Sequence, residues 1–300
     1  MFPATIARMP PSRRSLLAGG AGFLAAGAAG VGFIEAGLLP GRVHLHAALG
    51  LTGPDGVVPS VTPGARVTKS FRSRARRGQR VTWSASYPPD VPTTARLPVV
   101  LALHGRGGDH RSAFTDLGID RFVAAAVAEW PTPYVVVSVD GGSLSFWHRR
   151  RDGDDPQAMI VDELLPRLAE RGLRTDRIGL LGWSMGGYGV LLFAERHPDR
   201  VAAAAAMSPA LWRDYDDVWP GAFDDVTDFR AHDVYARQAA LRDIPLRIDC
   251  GRDDPFAPAA RAFIAGLDRR PAGGFQRGAH TLGYWRRMLP AQLAFLAWNL

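Results

Sequence analysis

Three hundred residues with a 47% apolar fraction suffice for one substantial core, and a single large α/β domain is the default reading. The net charge of +7 does not point to nucleic acid, because the excess of positive charge falls in the N-terminal tail and in residues 66–80 while the remainder is near neutral, with no aromatic-basic interleaving. Cys250 is the only cysteine, which excludes an intramolecular disulfide and a cysteine metal site.

In chain order, Ser12-Arg13-Arg14-Ser15-Leu16-Leu17 is a twin-arginine signature, followed by an uncharged Ala/Gly-rich run over 16–34. Glu35 interrupts a stretch that continues to Leu39, so its length approaches the roughly 20 residues that span a bilayer. Leu45-His46-Ala47 is the best late cleavage candidate and a mediocre one, so residues 1–40 read as a cleaved signal or an uncleaved membrane anchor. Either way the expected partner is the twin-arginine export machinery, and the body is expected outside the cytoplasmic membrane, secreted or anchored.

Residues 41–63, rich in Gly and Pro and without a sustained period, read as a linker or an irregular packed arm. Residues 64–300 read as the catalytic domain. Strands are expected over 67–71 and 79–87 about an Arg-rich turn, Arg74-Ala75-Arg76-Arg77-Gly78, taken as a solvated hairpin tip. The continuous apolar run over 98–103 has the form of a parallel strand buried on both faces. Alternation follows: helix near 111–130, strand 134–139, helix near 157–171, strand 178–181, helix 186–197, strand 201–207. An aromatic, aspartate-rich excursion over 208–233 then breaks the rhythm. Strand 246–250, helix 256–267, a short strand near Phe275 and a closing helix over 284–298 complete the pattern. Repeated βα units of this length imply a mainly parallel sheet with helices on both faces.

Within this pattern, Gly182-Trp183-Ser184-Met185-Gly186 sits where a strand passes directly into a helix, the context required of a G-x-S-x-G nucleophile elbow. A serine turned this sharply is strained, and the flanking glycines are expected to leave room for its hydroxyl and for substrate. Serine is a poor nucleophile until a base takes its proton, and the base needs a third group to fix its tautomer. His280, in a loop after the last short strand, is the expected base. Of the two acids in Gly251-Arg252-Asp253-Asp254-Pro255, Asp254 is preferred and Asp253 is the alternative. Asp254 before Pro255 also fits a helix N-cap.

Acyl transfer needs two amide donors for the oxyanion, and Met185 supplies one. Arg106, with Gly107 behind it, is expected to supply the other from the loop His104-Gly105-Arg106-Gly107-Gly108. His104 precedes the serine and is read as structural. Trp147, His148 and Trp183 are candidate pocket residues. Asp152-Gly153-Asp154-Asp155 lacks the spaced acceptors and terminal Glu of a calcium loop and reads as a turn capping the next helix. No metal and no cofactor are assigned.

His104-Gly105, Gly182 to Gly187, Gly251 to Phe256, and Gly278-Ala279-His280 followed by Tyr284-Trp285 resemble the esterase family of α/β-hydrolases that contains esterase D-type enzymes and secreted mycolyltransferases. The resemblance runs from about Val81 to Leu300. It implies Ser184 as nucleophile, Asp254 as acid, His280 as base, and Arg106 and Met185 as oxyanion donors. The Arg-bearing loop 104–108 and the aspartate-rich excursion depart from the pattern, so no particular substrate carries over. The reading is an exported serine carboxylesterase acting on a small-molecule or lipid ester through an acyl-enzyme. Its rivals are acyl transfer to a sugar or lipid hydroxyl, a peptidase, and a catalytically silent cell-surface binding protein.

Overall fold

The computed structural model describes residues 45, 46 and 48–300. The twin-arginine motif and the apolar run therefore lie outside the described residues. Among those described, no helix is long and apolar enough to cross a membrane. The chain divides into two units, residues 1–51 and 52–300, and the second carries every feature below.

Eight strands form one sheet: β1 (Arg66–Arg72), β2 (Arg80–Ser86), β3 (Pro98–Leu103), β4 (Val135–Val139), β5 (Arg174–Trp183), β6 (Val201–Met207), β7 (Leu246–Gly251) and β8 (Ala272–Gln276). Their order is β1-β2-β4-β3-β5-β6-β7-β8. The first two are antiparallel additions, and from β4 to β8 every pairing is parallel. This is the mainly parallel sheet that the βα alternation predicts, in the α/β-hydrolase form that the family resemblance implies. β3 and β4 are wholly buried and β6 nearly so, because helices cover both faces of the parallel region.

The covering helices are α1 (Ile119–Ala126), α2 (Leu165–Glu170), α3 (Met185–Arg196), α4 (Val226–Ala231), α5 (Ala257–Ala265) and α6 (Leu282–Ala297). The two apolar layers lie on opposite sheet faces. One holds α3 residues such as Leu191 and Phe193, and the other holds Leu289, Leu293 and Leu296 of α6. The helix expected over 111–130 is broken at Gly118, whose φ of +71° is left-handed and whose Cα is approached so closely by Val58 that a Cβ would lie 2.5 Å from it. The arm over 52–63 has no strand or helix, yet it packs: Gly56 N donates to Gly283 O (2.8 Å) and the Arg287 guanidinium to Pro54 O (2.5 Å).

The hairpin tip departs from expectation. Arg76 is 3% exposed. Its guanidinium pairs with Asp154, with one contact at 2.9 Å, and donates to Asp140 O at 2.9 Å. The turn 74–78 therefore docks on the loop after β4 instead of standing in solvent, although Arg77, bonded to Asp152, remains exposed. Asp155 accepts from Ala158 N (3.0 Å) with Pro156 at the first helical position, which is the capping turn expected of 152–155.

Candidate active site

β5 delivers Ser184 to the carboxyl edge of the sheet and α3 begins at the next residue. Ser184 has φ +55° and ψ −120°, a conformation that costs a non-glycine residue of order 1–3 kcal/mol. Three backbone bonds hold it there: Ser184 N donates to Met207 O and Ala210 N to Ser184 O, both at 3.0 Å, and Tyr188 N donates to Ser184 O at 3.1 Å. The motif glycines serve the backbone rather than the substrate. A Cβ on Gly182 would lie 2.3 Å from Gly186 O, and one on Gly186 would lie 1.9 Å from Leu103 O, so strand and helix can meet this closely only without side chains.

The loops after β7 and β8 bring the partners. His280 Nε2 lies 2.8 Å from Ser184 Oγ, and its Nδ1 lies 2.9 Å from Asp254 Oδ2. Asp254 is 3% exposed, and its second oxygen accepts from Phe256 N at 2.9 Å, which fixes the carboxylate plane. Asp254 does not cap α5, which has no side-chain cap at its N-terminus. Trp285 stands edge-on to the imidazole at 4.9 Å and Phe256 at 5.3 Å, so apolar rings flank the base. The sequence reading missed both contacts. A tryptophan in the first turns of the helix that follows the Gly-Ala-His loop is the signal that was available for one of them.

Of the amides of residues 106–108, Gly107 donates to Ser143 O (2.7 Å) and Gly108 to Gly105 O (3.1 Å). That leaves Arg106, together with Met185 at the first position of α3, as the pair with donors to offer. His104 is fully buried and anchors this loop: its Nδ1 lies 2.9 Å from Gly105 O and its Nε2 accepts from Gly141 N at 3.1 Å. Burial pushes its pKa down, so the neutral ring that accepts from Gly141 is the favoured form.

A groove of about 390 Å³ opens on Ser184 and His280, walled by residues 105–108, Trp183, Trp219, Leu282 and Trp285. Trp183 lies where the sequence reading put it. Trp147 and His148 do not line the groove. Trp147 is fully buried between Gly141 and Gly189, where added Cβ atoms would come within 2.2 and 2.6 Å of its ring, and its indole donates to His104 O. His148 is fully buried against Phe223 and His232. Trp219, from the excursion, reaches the groove instead and carries the Arg106 guanidinium over its ring at 5.1 Å. A larger hollow of 580 Å³ near Arg96 and Asp176 contains no serine or histidine.

A strained serine between strand and helix, bonded to a histidine and through it to a buried aspartate on one parallel sheet, defines the class of α/β-hydrolases. The family model described as "Putative esterase" matches residues 75–296, and the chain belongs to that family. The fold is shared with a ferulic acid esterase (TM-score 0.69, 20% identity, 80% of this chain and 100% of that one). It is shared equally with an S-formylglutathione hydrolase from Agrobacterium tumefaciens (TM-score 0.64, 18% identity, 81% and 98%). Mycobacterium tuberculosis MPT51 (FbpC1) aligns at TM-score 0.64 with 16% identity over 79% of this chain and 99% of that one. No curated protein sequence matches this chain.

Proposed function

We propose that this chain is a serine carboxylesterase that forms an acyl-enzyme on Ser184 and passes the acyl group to water. The observation that carries the reading is the unbroken line from Asp254 through His280 to Ser184 Oγ at the floor of an open groove. His280 Nε2 takes the hydroxyl proton as Oγ attacks the ester carbonyl. Asp254 holds Nδ1–H and stabilises the imidazolium. The amides of Met185 and Arg106 receive the oxyanion, aided by the positive end of α3. His280 then protonates the departing alcohol, and a water repeats the sequence on the acyl-enzyme.

Acyl transfer to a sugar or lipid hydroxyl is the second reading. It is favoured by a hollow of about 500 Å³ on the other side of Trp219, lined by Leu211, Trp212 and Phe256, which offers room for an acceptor beside the acyl site. The catalytic parts are common to both readings, so product analysis separates them. With short-chain p-nitrophenyl esters, the chain should release free acid in step with p-nitrophenol. A product ester formed with an added sugar or lipid alcohol would favour transfer, and absence of turnover would defeat both.

The same reading places the enzyme outside the cytoplasmic membrane, supported by Ser12-Arg13-Arg14-Ser15 and the apolar run behind it. Replacing Arg13 and Arg14 by Lys should retain the precursor inside the cell, and unaltered export would refute the twin-arginine assignment.

A further inference from the structure

The excursion that carries Trp219 to the groove is fastened to the loop after β4 by three side chains that ester chemistry does not use. Asp228 lies on α4, His232 is its C-terminal cap one turn later, and His148 comes from the loop. The two imidazoles stand 4.3 Å apart. Asp228 Oδ1 lies 2.9 Å from His232 Nδ1 and 3.7 Å from His148 Nδ1. One potential ligand atom from each residue falls within 4.8 Å of the others. Zinc–nitrogen and zinc–oxygen bonds near 2.0–2.1 Å in tetrahedral geometry set paired ligand atoms about 3.3–3.4 Å apart, so a contraction of up to about 1.5 Å completes the set.

The outer atoms of His148 and Asp228 are already anchored as those of metal ligands are. His148 Nε2 lies 3.1 Å from Ala222 O, and Asp228 Oδ2 accepts from Asp224 N at 2.8 Å. A ligating imidazole donates its far N–H to a carbonyl, and a ligating carboxylate is hydrogen-bonded through its free oxygen. His148 also carries a conflict. Its Nδ1 faces Arg149 O at 3.0 Å while its Nε2 faces Ala222 O, and a neutral ring has one N–H for two carbonyls. A second proton or a bound cation resolves this. Arg150 is engaged by Asp224 at 2.7 Å, and Arg196, the guanidinium that acts on His232, donates to Ala231 O at 2.8 Å.

We propose that His148, Asp228 and His232 bind a divalent transition metal of the zinc type, with a structural role: the ion clamps α4 and the excursion to the loop after β4. Two imidazoles and one carboxylate are a donor set suited to Zn2+. The proposal does not rest on the esterase reading.

Tag-free full-length protein, dialysed against chelator, should bind one Zn2+ per chain by isothermal titration calorimetry, with a rise in Tm. His232→Gln and Asp228→Asn should each weaken binding by about tenfold or more. Ser184→Ala should bind Zn2+ as the parent does, and so should His110→Gln, which alters the other acid–imidazole cluster, Asp109, His110 and Asp140. Circular dichroism checks the fold of each variant, and Asp228→Asn decides if His232→Gln does not fold. No uptake at about 100 µM Zn2+, or undiminished uptake in the folded variants, would overturn the proposal.

Discussion

His280 Nε2 and Ser184 Oγ lie 2.8 Å apart although 96 residues of chain separate them, and the same imidazole meets the Asp254 carboxylate at 2.9 Å on its other side. Because Asp254 makes that contact, the two adjacent aspartates are not equivalent. Asp254→Asn should lower kcat by about 10³- to 10⁴-fold, since the amide favours the wrong imidazole tautomer. Asp253→Asn should cost less than about tenfold. Steady-state kinetics on a p-nitrophenyl ester decides, and the opposite ranking would move the acid to Asp253.

Helix propensity alone favours Ala over Gly at 186 by about 1 kcal/mol. The backbone decides otherwise, because the new Cβ would lie 1.9 Å from Leu103 O, a strand carbonyl that cannot move aside. Gly186→Ala should therefore lower stability by about 2 kcal/mol or more in urea titration and lose most esterase activity.

Arg76 and Asp154 form a largely buried pair, whereas Arg77 and Asp152 form an exposed one. Removing one partner of a buried pair strands the other charge, so Arg76→Ala should cost about 3 kcal/mol. Arg77→Ala should change stability by less than about 1 kcal/mol. Chemical denaturation of both variants checks the contrast.

Glu195 is 4% exposed, and neither carboxyl oxygen has a hydrogen-bond partner. Burial, reinforced by Asp233, pushes its pKa up to about 9. The folded state thus holds a proton that the unfolded state releases above its ordinary value of 4.5. The protonated carboxyl contributes fully below about pH 4.5, and that contribution is lost progressively as pH rises toward 9. Glu195→Gln, which removes the ionisation, should gain on the parent by on the order of a few kcal/mol at pH 8.5 and by little at pH 5. Thermal denaturation at the two pH values measures the difference, and an equal effect at both would contradict the buried-carboxyl account.

Strands β3 and β6 were legible to the residue because each is a continuous apolar run, and burial on both faces leaves such a run no other position. The meeting of Ser184, Asp254 and His280 was legible because the fold fixes their order at successive strand ends. Side-chain direction within a loop is not encoded that way. The segment 141–149 lies at the expected edge, yet Trp147 and Phe146 take left-handed backbone angles that turn both rings into the core, while Trp219 from the excursion reaches the groove. Burial of Arg76 was equally hidden, since its partner Asp154 lies 78 residues away.

The most direct test of the nucleophile is reaction of the chain with a fluorophosphonate followed by peptide mass mapping. Ser184 in its strained elbow should carry the phosphonyl adduct, and Ser184→Ala should carry none and should hydrolyse no ester. Labelling at another serine, or undiminished turnover by Ser184→Ala, would contradict the acyl-enzyme mechanism.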